Sequence, residues 1–315
     1  MKLPVLSIVV PLYNEEEALP IFYGEVSRLF DSPEMSEKYQ IEFIFVDDGS
    51  SDDTLTLCRK LSEENSCVNF ISLSRNFGKE AAMYAGLQKA RGEFIAVMDV
   101  DLQDPPDLLP EMLETMETEE FDCVATFRTD RTNEPVIRSF FARLFYRLMR
   151  WISEVPIVDG ARDFRLMTRK YCNAVISLKE RNRFTKGIFP WVGFKIRWLP
   201  FENRDRSAGN TKWSFSKLFL YSLDGIVAFS SKPLAFIAGM GITSVFFSFL
   251  LLIFIIIRKL IFGDPVQGWA SLVCIILFVS GLHIFFLGIL GFYVSKIHTE
   301  VKQRPVYIVK EEKIQ

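Results

Sequence analysis

Residues 41–54, IEFIFVDDGSSDDT, join an apolar run to an acidic turn and the beginning of a helix. Ile41–Val46 is apolar at nearly every position, which is the pattern of a strand buried on both faces of a parallel sheet. Ser51 or Asp52 can cap the following helix, because a short polar side chain accepts hydrogen bonds from the free amides of the first turn. The stretch therefore predicts a strand, a turn and a helix in that order.

The same alternation extends over the first 130 residues. The predicted strands are Val5–Leu12, Ile41–Val46, Asn69–Leu73, Phe94–Met98 and Cys123–Phe127. The predicted helices are Glu16–Phe30, Asp52–Asn65, Lys79–Ala90 and Asp107–Thr118. Strands that alternate with helices form a doubly wound, mainly parallel α/β sheet, in which ligands bind at the carboxyl ends of the strands.

Two long apolar segments predict a transmembrane hairpin. Leu234–Ile257 carries no charge, and in Ala270–Ser295 only His283 is ionisable. About 20 apolar residues suffice to cross a bilayer, so both segments are long enough. The tail that follows is richer in Lys and Arg than the connection between the segments, which puts the tail and the amino-terminal domain on the cytoplasmic side.

These patterns divide the chain into three parts. We expect a cytoplasmic domain over residues 1–230, a membrane hairpin over 234–295 (spans 234–257 and 270–295) and a cytoplasmic tail over 296–315, in a multi-pass protein of the plasma membrane. Amphipathic interfacial helices are expected near 137–152 and 214–229. The first, IRSFFARLFYRLMRWI, carries three arginines on one stripe. It can pack on the domain or lie among lipid headgroups, and the nearby spans favour the second interpretation.

Composition excludes two broad classes. The net charge of the 315 residues is -2, so the chain is not a globally basic nucleic-acid binder, and we expect no nucleic-acid partner. The five cysteines form no CxxC pair, which suits a reducing compartment and argues against a disulfide framework.

Acidic residues follow two of the predicted strands. Asp47 and Asp48 come after the second strand, and Asp99 and Asp101 come after the fourth. In a parallel sheet both pairs open on the same edge. Carboxylates one residue apart can bind a divalent cation such as Mg²⁺ or Mn²⁺, which neutralises a diphosphate leaving group. Solvated turn aspartates are the alternative, but two clusters on one sheet favour the cation site.

Ordered motifs make the chain similar to the family-2 glycosyltransferases. They are SIVVPLYNEEE at 7–17, FVDDGSSDDT at 45–54, SRNFGKEAAMYAGLQKARGE at 74–93 and MDVDLQDPP at 98–106. GARDFRLMTRK at 160–170, RSAGNTKWSF at 206–215 and the hairpin resemble the bacterial polyprenyl-phosphate (bactoprenol) glucosyltransferase branch, which is related to dolichol-phosphate mannose synthases. The resemblance covers residues 4–305. It implies a GT-A, Rossmann-like fold and a membrane-anchored, metal-dependent hexosyltransferase.

The resemblance also implies roles for individual residues. Those expected to bind the nucleotide sugar are Pro11, Tyr13, Asn14, Glu15, Asp48, Lys79, Asp99, Gln103, Arg206, Ser207 and Lys212. Asp99 and Asp101 would hold Mg²⁺ or Mn²⁺ against the donor diphosphate. Arg128 and Arg131 would bind the acceptor phosphate, because the arginine fork matches phosphate oxygens. The alternative for Arg128 and Arg131 is that they are ordinary surface arginines. The alternative for Lys79 is a solvated charge at the start of a helix.

Asp163 occupies the family's proposed catalytic-base position, and Asp101 is the other expected catalytic residue. A phosphate monoester has a second pKa of about 6, so the acceptor needs little deprotonation at neutral pH. We therefore expect Asp163 to orient the acceptor or the cation at least as much as it takes a proton. The expected reaction is an in-line displacement that inverts the anomeric carbon and moves a hexose, by closest resemblance glucose from UDP-glucose, to undecaprenyl phosphate.

Other functions stay open on the sequence alone. The donor could be UDP-N-acetylglucosamine or GDP-mannose, and the acceptor could be another envelope lipid or glycan. A processive polysaccharide synthase is disfavoured, because the chain has no QxxRW segment and two spans cannot enclose a channel. The Asp99 and Asp101 pair disfavours a non-catalytic scaffold. The family implies a homo-oligomer, with a tetramer as the expectation.

Overall fold

The structure, a computed structural model, describes residues 3–129, 155–156, 158–201, 225, 227, 229–262 and 269–314. The chain divides into two units, residues 1–228 with 304–315 and residues 229–303. The interfacial helix expected at 137–152 lies outside the described residues, as does nearly all of 214–229.

In the described part of the chain, the first unit is built on a mixed sheet of eight strands. They are β1 (Val5–Leu12), β2 (Gln40–Asp47), β3 (Val68–Leu73), β4 (Phe94–Val97), β5 (Cys123–Arg128), β6 (Ala161–Thr168), β7 (Ile196–Phe201) and β8 (Val309–Lys313). Their order across the sheet is β7-β5-β6-β4-β1-β2-β3-β8. The first four strands are mutually parallel, and β5 is parallel to β7. β6 runs antiparallel to β4 and β5, and β8 runs antiparallel to β3.

Helices cover the sheet. In the first unit they are α1 (Ala18–Phe30), α2 (Pro33–Ser36), α3 (Thr54–Glu64), α4 (Lys79–Lys89), α5 (Leu109–Thr118), α6 (Arg169–Ser177) and α7 (Thr185–Trp191). A 3₁₀ turn, Pro106–Leu108, precedes α5. Leu19, Phe22 and Val26 of α1 are buried at helical spacing, so one face of this helix joins the core.

Helix α4 lies unusually close to the sheet. Gly86 is its contact point, because a Cβ atom at this position would lie 2.3 Å from Cγ1 of Val9 and 3.0 Å from Cγ2 of Val46. The absence of a side chain lets the helix backbone rest directly on β1 and β2. This packing determines where the first residue of α4, Lys79, is placed at the edge of the sheet.

The predicted α/β, mainly parallel sheet is confirmed, and the bounds of the five predicted strands agree to within one residue. Three strands were not predicted: β6, β7 and β8. Residues 304–315 belong to the first unit, so describing 296–315 as a separate tail needs correction. The sequence VKEEK of β8 has charged side chains on its exposed positions, as an edge strand does, and lacks the apolar run that marked the inner strands.

The second unit consists of two long helices in the described residues, α8 (Lys232–Phe262) and α9 (Trp269–Val301). Both predicted apolar helices are therefore present. The segments Lys232–Leu251 and Ile275–Val301 are long and apolar enough to cross a membrane. Large apolar side chains such as Phe246 (59% exposed) and Phe278 (72% exposed) cover their surface. Apolar surface of this extent indicates contact with lipid or with other protein.

Replacing Gly86 with Ala tests the close packing of α4. We expect Gly86→Ala to lower the free energy of unfolding by about 1–3 kcal/mol, because the added methyl group collides with Val9 in a packed core. Gly24→Ala in α1 is the matched control, since nothing lies within 4 Å of its added Cβ. The control should gain up to about 1 kcal/mol from helix propensity. Chemical denaturation in detergent, followed by circular dichroism, measures both; equal stability of the two variants would contradict the packing.

Candidate active site

The register between β4 and β6 brings two aspartates together at the carboxyl edge of the sheet. Val97, the last residue of β4, lies opposite Arg165 of the antiparallel strand β6. Asp99 comes two residues after Val97, and Asp163 comes two residues before Arg165. Both carboxylates therefore face each other beyond the end of β4, although they are far apart in the sequence.

Lys79 binds both of these carboxylates. Its Nζ atom lies 2.7 Å from Oδ1 and 2.9 Å from Oδ2 of Asp99, and 2.5 Å from Oδ2 of Asp163. Burial by itself raises the pKa of Asp163, but the charges of Lys79, Lys186 and Arg165 outweigh it and hold that pKa below the usual range. Burial likewise lowers the pKa of Lys79, but the two aspartates raise it above its ordinary value. Lys79 and Asp163 are therefore both charged at neutral pH.

Asp48 holds the loop that leads into α4. Its Oδ1 accepts a hydrogen bond from the amide of Phe77 at 2.7 Å, and its Oδ2 accepts one from the amide of Gly78 at 2.8 Å. Burial raises the pKa of Asp48, and these two N–H donors partly offset the rise. Gly78 has a φ of 99°, a conformation that glycine adopts without strain. Asp48 was expected to contact the donor, and the structure shows its oxygens on the loop that carries Lys79.

The turns after β1 and β2 are locked together by hydrogen bonds. The side-chain oxygen of Asn14 accepts from the amide of Ser51 at 2.8 Å, and the amide of Asn14 donates to Oγ of Ser50 at 2.9 Å. Asn14 has a φ of 53°, which asparagine tolerates better than most residues. Tyr13 next to it is 39% exposed, and Pro11 is half-buried. The amide of Glu15 donates to Oγ1 of Thr54. These bonds hold the turn after β1 against the turn after β2 and leave the side chain of Tyr13 exposed.

The loop that carries Asp101 is tied to β6 by a charge pair. Nε of Arg162 lies 2.8 Å from Oδ1 of Asp104, and Nη2 of Arg162 lies 3.4 Å from Oε1 of Gln103. Asp101 itself accepts a hydrogen bond from the amide of Gln103 at 3.2 Å. Asp104 is buried, and burial raises its pKa to about 6 even though Arg162 lowers it. Gln103, predicted as a donor contact, is therefore held by Arg162.

Asp99 and Asp101 fit a divalent cation by the chemistry of their donor atoms. Both are half-buried, so neither residue is sealed from solvent. Among the described residues, no group of three or more His, Cys, Asp or Glu side chains could hold a metal alone. Mg²⁺ does not require such a group, because it is commonly bound by one or two carboxylates together with phosphate oxygens and water. Lys79 draws on the same oxygens of Asp99, so a bound cation would share them with the ammonium group.

Several residues of this site were not predicted from the sequence. They are Glu80, Asp104, Arg162, Arg165 and Lys186. Arg165, almost fully buried, donates to the backbone oxygens of Arg162 at 2.8 Å and Asp163 at 3.2 Å, and thereby fixes the beginning of β6. Glu80 accepts hydrogen bonds from the amide and Oγ1 of Thr185, and burial raises its pKa to about 7. The spacing R-D-x-R at 162–165 was the available signal for two of these residues.

The remaining predicted residues divide into two groups. Arg128 is described: it ends β5 at the same sheet edge, where its amide donates to the backbone oxygen of Gly160 at 3.0 Å. Four predicted residues lie outside the described part of the chain: Arg131, Arg206, Ser207 and Lys212. The structure thus brings together Lys79, Asp99 and Asp163.

The sequence was compared with protein-family models and with known proteins, and it matches one family. The family model described as Glycosyl transferase family 2 matches residues 7–176. The putative glycosyltransferase CsbB of Bacillus subtilis is 39% identical over 100% of this chain and 94% of its own length. The bactoprenol glucosyl transferase of Shigella phage SfV is also 39% identical, over 98% of this chain and 99% of its own.

Similar solved structures are more distant. One is glucosyl-3-phosphoglycerate synthase from Mycobacterium tuberculosis, in complex with Mn²⁺ and UDP-glucose. It is 20% identical to this chain with a TM-score of 0.45, and the match covers 71% of this chain and 77% of that one.

Removing Arg162 tests the charge pair beneath the Asp101 loop. We expect Arg162→Met to cost about 3 kcal/mol of unfolding free energy at pH 8, because Asp104 is left buried and charged without its partner. The raised pKa of Asp104 means that the folded chain binds more protons than the unfolded chain between about pH 4 and 6, so its contribution to stability falls as pH rises through that window. Without Arg162 the pKa of Asp104 rises further, so this carboxyl group is protonated and uncharged at a higher pH. The unfolding free energy lost in Arg162→Met should therefore be smaller at pH 5.5 than at pH 8.

Two controls accompany this measurement. Asp104→Asn in the Arg162→Met background removes the unpaired charge and should recover part of the stability at pH 8. Lys60→Met breaks an exposed pair in α3, in which Lys60 and Glu64 are 3.9 Å apart, and should change the unfolding free energy by less than about 0.5 kcal/mol. A cost for Arg162→Met that is small or independent of pH would contradict the assigned role of the pair.

Proposed function

This chain belongs to glycosyl transferase family 2, and we propose that it transfers a hexose, with glucose from UDP-glucose as the preferred choice, to polyprenyl phosphate. The observation that carries the proposal is the full-length similarity to a bactoprenol glucosyl transferase, which extends over 98% of this chain and includes both apolar helices. The charged cluster of Lys79, Asp99 and Asp163 lies within the part that the family model matches.

The donor would bind across the turns that follow β1, β2 and β4. Tyr13 offers an exposed aromatic ring beside the locked turn of Asn14, where a base could stack. Asp48 would act through the loop at 74–78, because its oxygens hold the amides of Phe77 and Gly78. Lys79, at the end of that loop, places a positive charge close to the expected diphosphate. Arg206, Ser207 and Lys212 complete the donor contacts in this proposal.

Asp99 and Asp101 are the residues that would hold Mg²⁺ or Mn²⁺. A bound divalent ion neutralises charge on the departing nucleotide diphosphate. The protein's own part is to keep the two carboxylates at the end of β4 with their oxygens accessible. Lys79 adds a fixed charge at the same place, so the leaving group would meet positive charge that needs no rearrangement.

Asp163 is poorly suited to take a proton, because neighbouring positive charges hold its pKa below the usual range. Its Oδ2 binds Lys79, whereas its Oδ1 is buried without a hydrogen-bond partner among the described residues. A buried acceptor of this kind calls for a partner, which a substrate hydroxyl or a cation would supply. We assign Asp163 an orienting role, since the acceptor phosphate is already largely ionised at neutral pH.

The acceptor phosphate would bind on the side of β5 and α7. Arg128 ends β5 at this edge, and the proposal adds Arg131. Lys186 is half-buried and makes no hydrogen bond or ion pair with the described residues, yet its charge reaches Asp163. Its ammonium group is therefore available for a phosphate. Attack from this side on an α-linked donor, in line with the departing diphosphate, would give a β-linked product.

The two apolar helices would anchor the enzyme beside its lipid substrate. In this proposal α8 and α9 cross the plasma membrane as a hairpin, and the first unit faces the cytoplasm, where nucleotide sugars are made. Their exposed apolar side chains fit contact with lipid and with further copies of the chain, and a homo-oligomer, with a tetramer as the expected form, would cover part of this surface.

Transfer of radiolabelled glucose from UDP-glucose to undecaprenyl phosphate tests the proposal directly. The purified protein in detergent should form an organic-extractable glycolipid with Mn²⁺ and none with EDTA. Asp101→Asn should lower the rate by about 100-fold or more, because it removes a carboxylate aimed at the leaving group. Asp31→Asn, the same change at an exposed position after α1, is the matched control and should leave the rate unchanged.

Three results would contradict parts of the proposal. Transfer that persists in EDTA would overturn the cation site. A product only with UDP-N-acetylglucosamine or GDP-mannose would correct the donor. Binding of UDP with no lipid product from any donor would overturn the polyprenyl acceptor and favour transfer to another envelope lipid or glycan.

A further inference from the structure

The segment at residues 304–313, here called the C-terminal clamp, joins the sheet of the first unit. Its strand β8 pairs antiparallel with β3, with Phe70 opposite Lys313, Ile71 opposite Glu312 and Leu73 opposite Val309. The amide of Ser74 donates to the backbone oxygen of Ile308 at 2.8 Å, so the contact extends one residue beyond β3. Ser74 is the first residue of the loop at 74–78 that Asp48 holds.

Charged side chains of the clamp pair with the helices on either side of β3. Glu311 forms an ion pair with Arg59 of α3, and Lys313 donates to the backbone oxygen of Ser62 at 2.7 Å. Glu312 pairs with Lys89 of α4 at 2.8 Å. Each of these contacts joins residues more than two hundred positions apart in the sequence.

An aromatic residue of the clamp reaches further along α4. The hydroxyl of Tyr307 donates to Oε1 of Gln88 at 2.6 Å, and its ring meets Tyr84 edge-on with 6.3 Å between centroids. The guanidinium of Arg183 also lies over the ring of Tyr84, 4.1 Å from its centroid. Arg181 donates to the backbone oxygen of Arg304. The clamp thus holds α4 over its carboxyl-terminal half.

The clamped elements β3 and α4 are the two that enclose the active-site loop at 74–78. The loop follows the last residue of β3, Leu73, and precedes the first residue of α4, Lys79. Loop amides bind Asp48, and Lys79 binds Asp99 and Asp163. A segment that ties the strand to the helix therefore constrains the position of the loop and of the ammonium group.

We propose that the C-terminal clamp is a positioning element of the active site, which holds β3 and α4 so that the loop at 74–78 and Lys79 face the donor. The inference rests on the proposed function for the identity of the donor. A clamp that only covered the edge of β3 against aggregation would leave donor binding unchanged when loosened, and this separates the two roles.

Charge reversal within the full-length chain loosens the clamp without removing it. In Glu311→Arg/Glu312→Lys, the changed residue 311 repels Arg59 and the changed residue 312 repels Lys89. In the compensated variant, Arg59→Glu and Lys89→Glu are added and both pairs return with opposite sign. Lys310→Glu is the matched control, since the side chain of this exposed clamp residue makes no hydrogen bond or ion pair with the described residues. None of these positions lies in the charged cluster.

We expect the reversed variant to raise the KM for UDP-glucose about fivefold or more, with kcat changed less, because two favourable pairs become repulsive. Hydrogen exchange at the amides of Phe77 and Gly78 should accelerate by a similar factor. The compensated variant and Lys310→Glu should stay within about twofold of the unmodified chain in both readouts. Tyr307→Phe loses only the hydrogen bond to Gln88 and should also raise the KM and the exchange rates. This milder variant replaces the reversed variant in the test if the reversed variant does not fold.

Unchanged donor KM and unchanged exchange at Phe77 and Gly78 in the reversed variant, or in Tyr307→Phe, would overturn the inference. So would a KM that rises and is not restored by compensation. The exchange readout needs no turnover, so it decides the role of the clamp even if the unmodified chain transfers no sugar, a result that would overturn the proposed function alone.

Discussion

The ammonium group of Lys79, shared between Asp99 and Asp163, is the interaction on which the arrangement of the sheet edge depends. Two carboxylates that contact the same ammonium group would repel each other without it, by roughly 4 kcal/mol for charges 4 Å apart in surroundings of intermediate polarity. One positive charge between them turns repulsion into attraction. Its placement comes from backbone packing: Gly86 lets α4 rest on β1 and β2, and the register of β6 against β4 brings Asp163 opposite Asp99.

This arrangement has a consequence for the chemistry. A lysine that is held charged by two aspartates provides positive charge before any substrate arrives, and an aspartate held ionised beside it makes a weak base. The site is therefore suited to stabilising a departing anion and to orienting an acceptor that is already ionised. In the proposed reaction, Asp99 would hold a divalent cation as well as Lys79, so the two positive charges would compete for its carboxylate and would together supply the charge near the diphosphate.

Local sequence patterns predicted strands β1 to β5. They did not predict β6, β7 and β8, which pair with strands that are distant in the sequence. The continuous apolar runs of β1 to β5 mark strands buried on both faces, and Asp99 and Asp101 stand out because they end such a run. The GT-A class expected from the resemblance agrees with the mixed sheet and the family match. β6 and β8 contain charged residues along their length, so they lack the continuous apolar run that predicts a buried strand.

The site itself divides in the same way. Asp163 and Lys79 were named through the resemblance, and only the fold shows that they touch. The resemblance named Asp48 as a donor contact, and the fold shows in addition that its oxygens hold the loop before α4. The pairing of Arg162 with Asp104 and the proximity of Lys186 to Asp163 both depend on β6 and α7, which the local patterns did not reveal.

Titration of Mn²⁺ into the unmodified chain and into Lys79→Met, followed by the electron paramagnetic resonance signal of free Mn²⁺, tests the role of Lys79 most directly. If Lys79 shares the oxygens of Asp99 with the cation, the variant should bind Mn²⁺ more tightly, because one positive charge has gone, while sugar transfer falls by about 100-fold or more. Mn²⁺ binding that is no tighter, together with transfer at the unmodified rate, would contradict the central place given to Lys79.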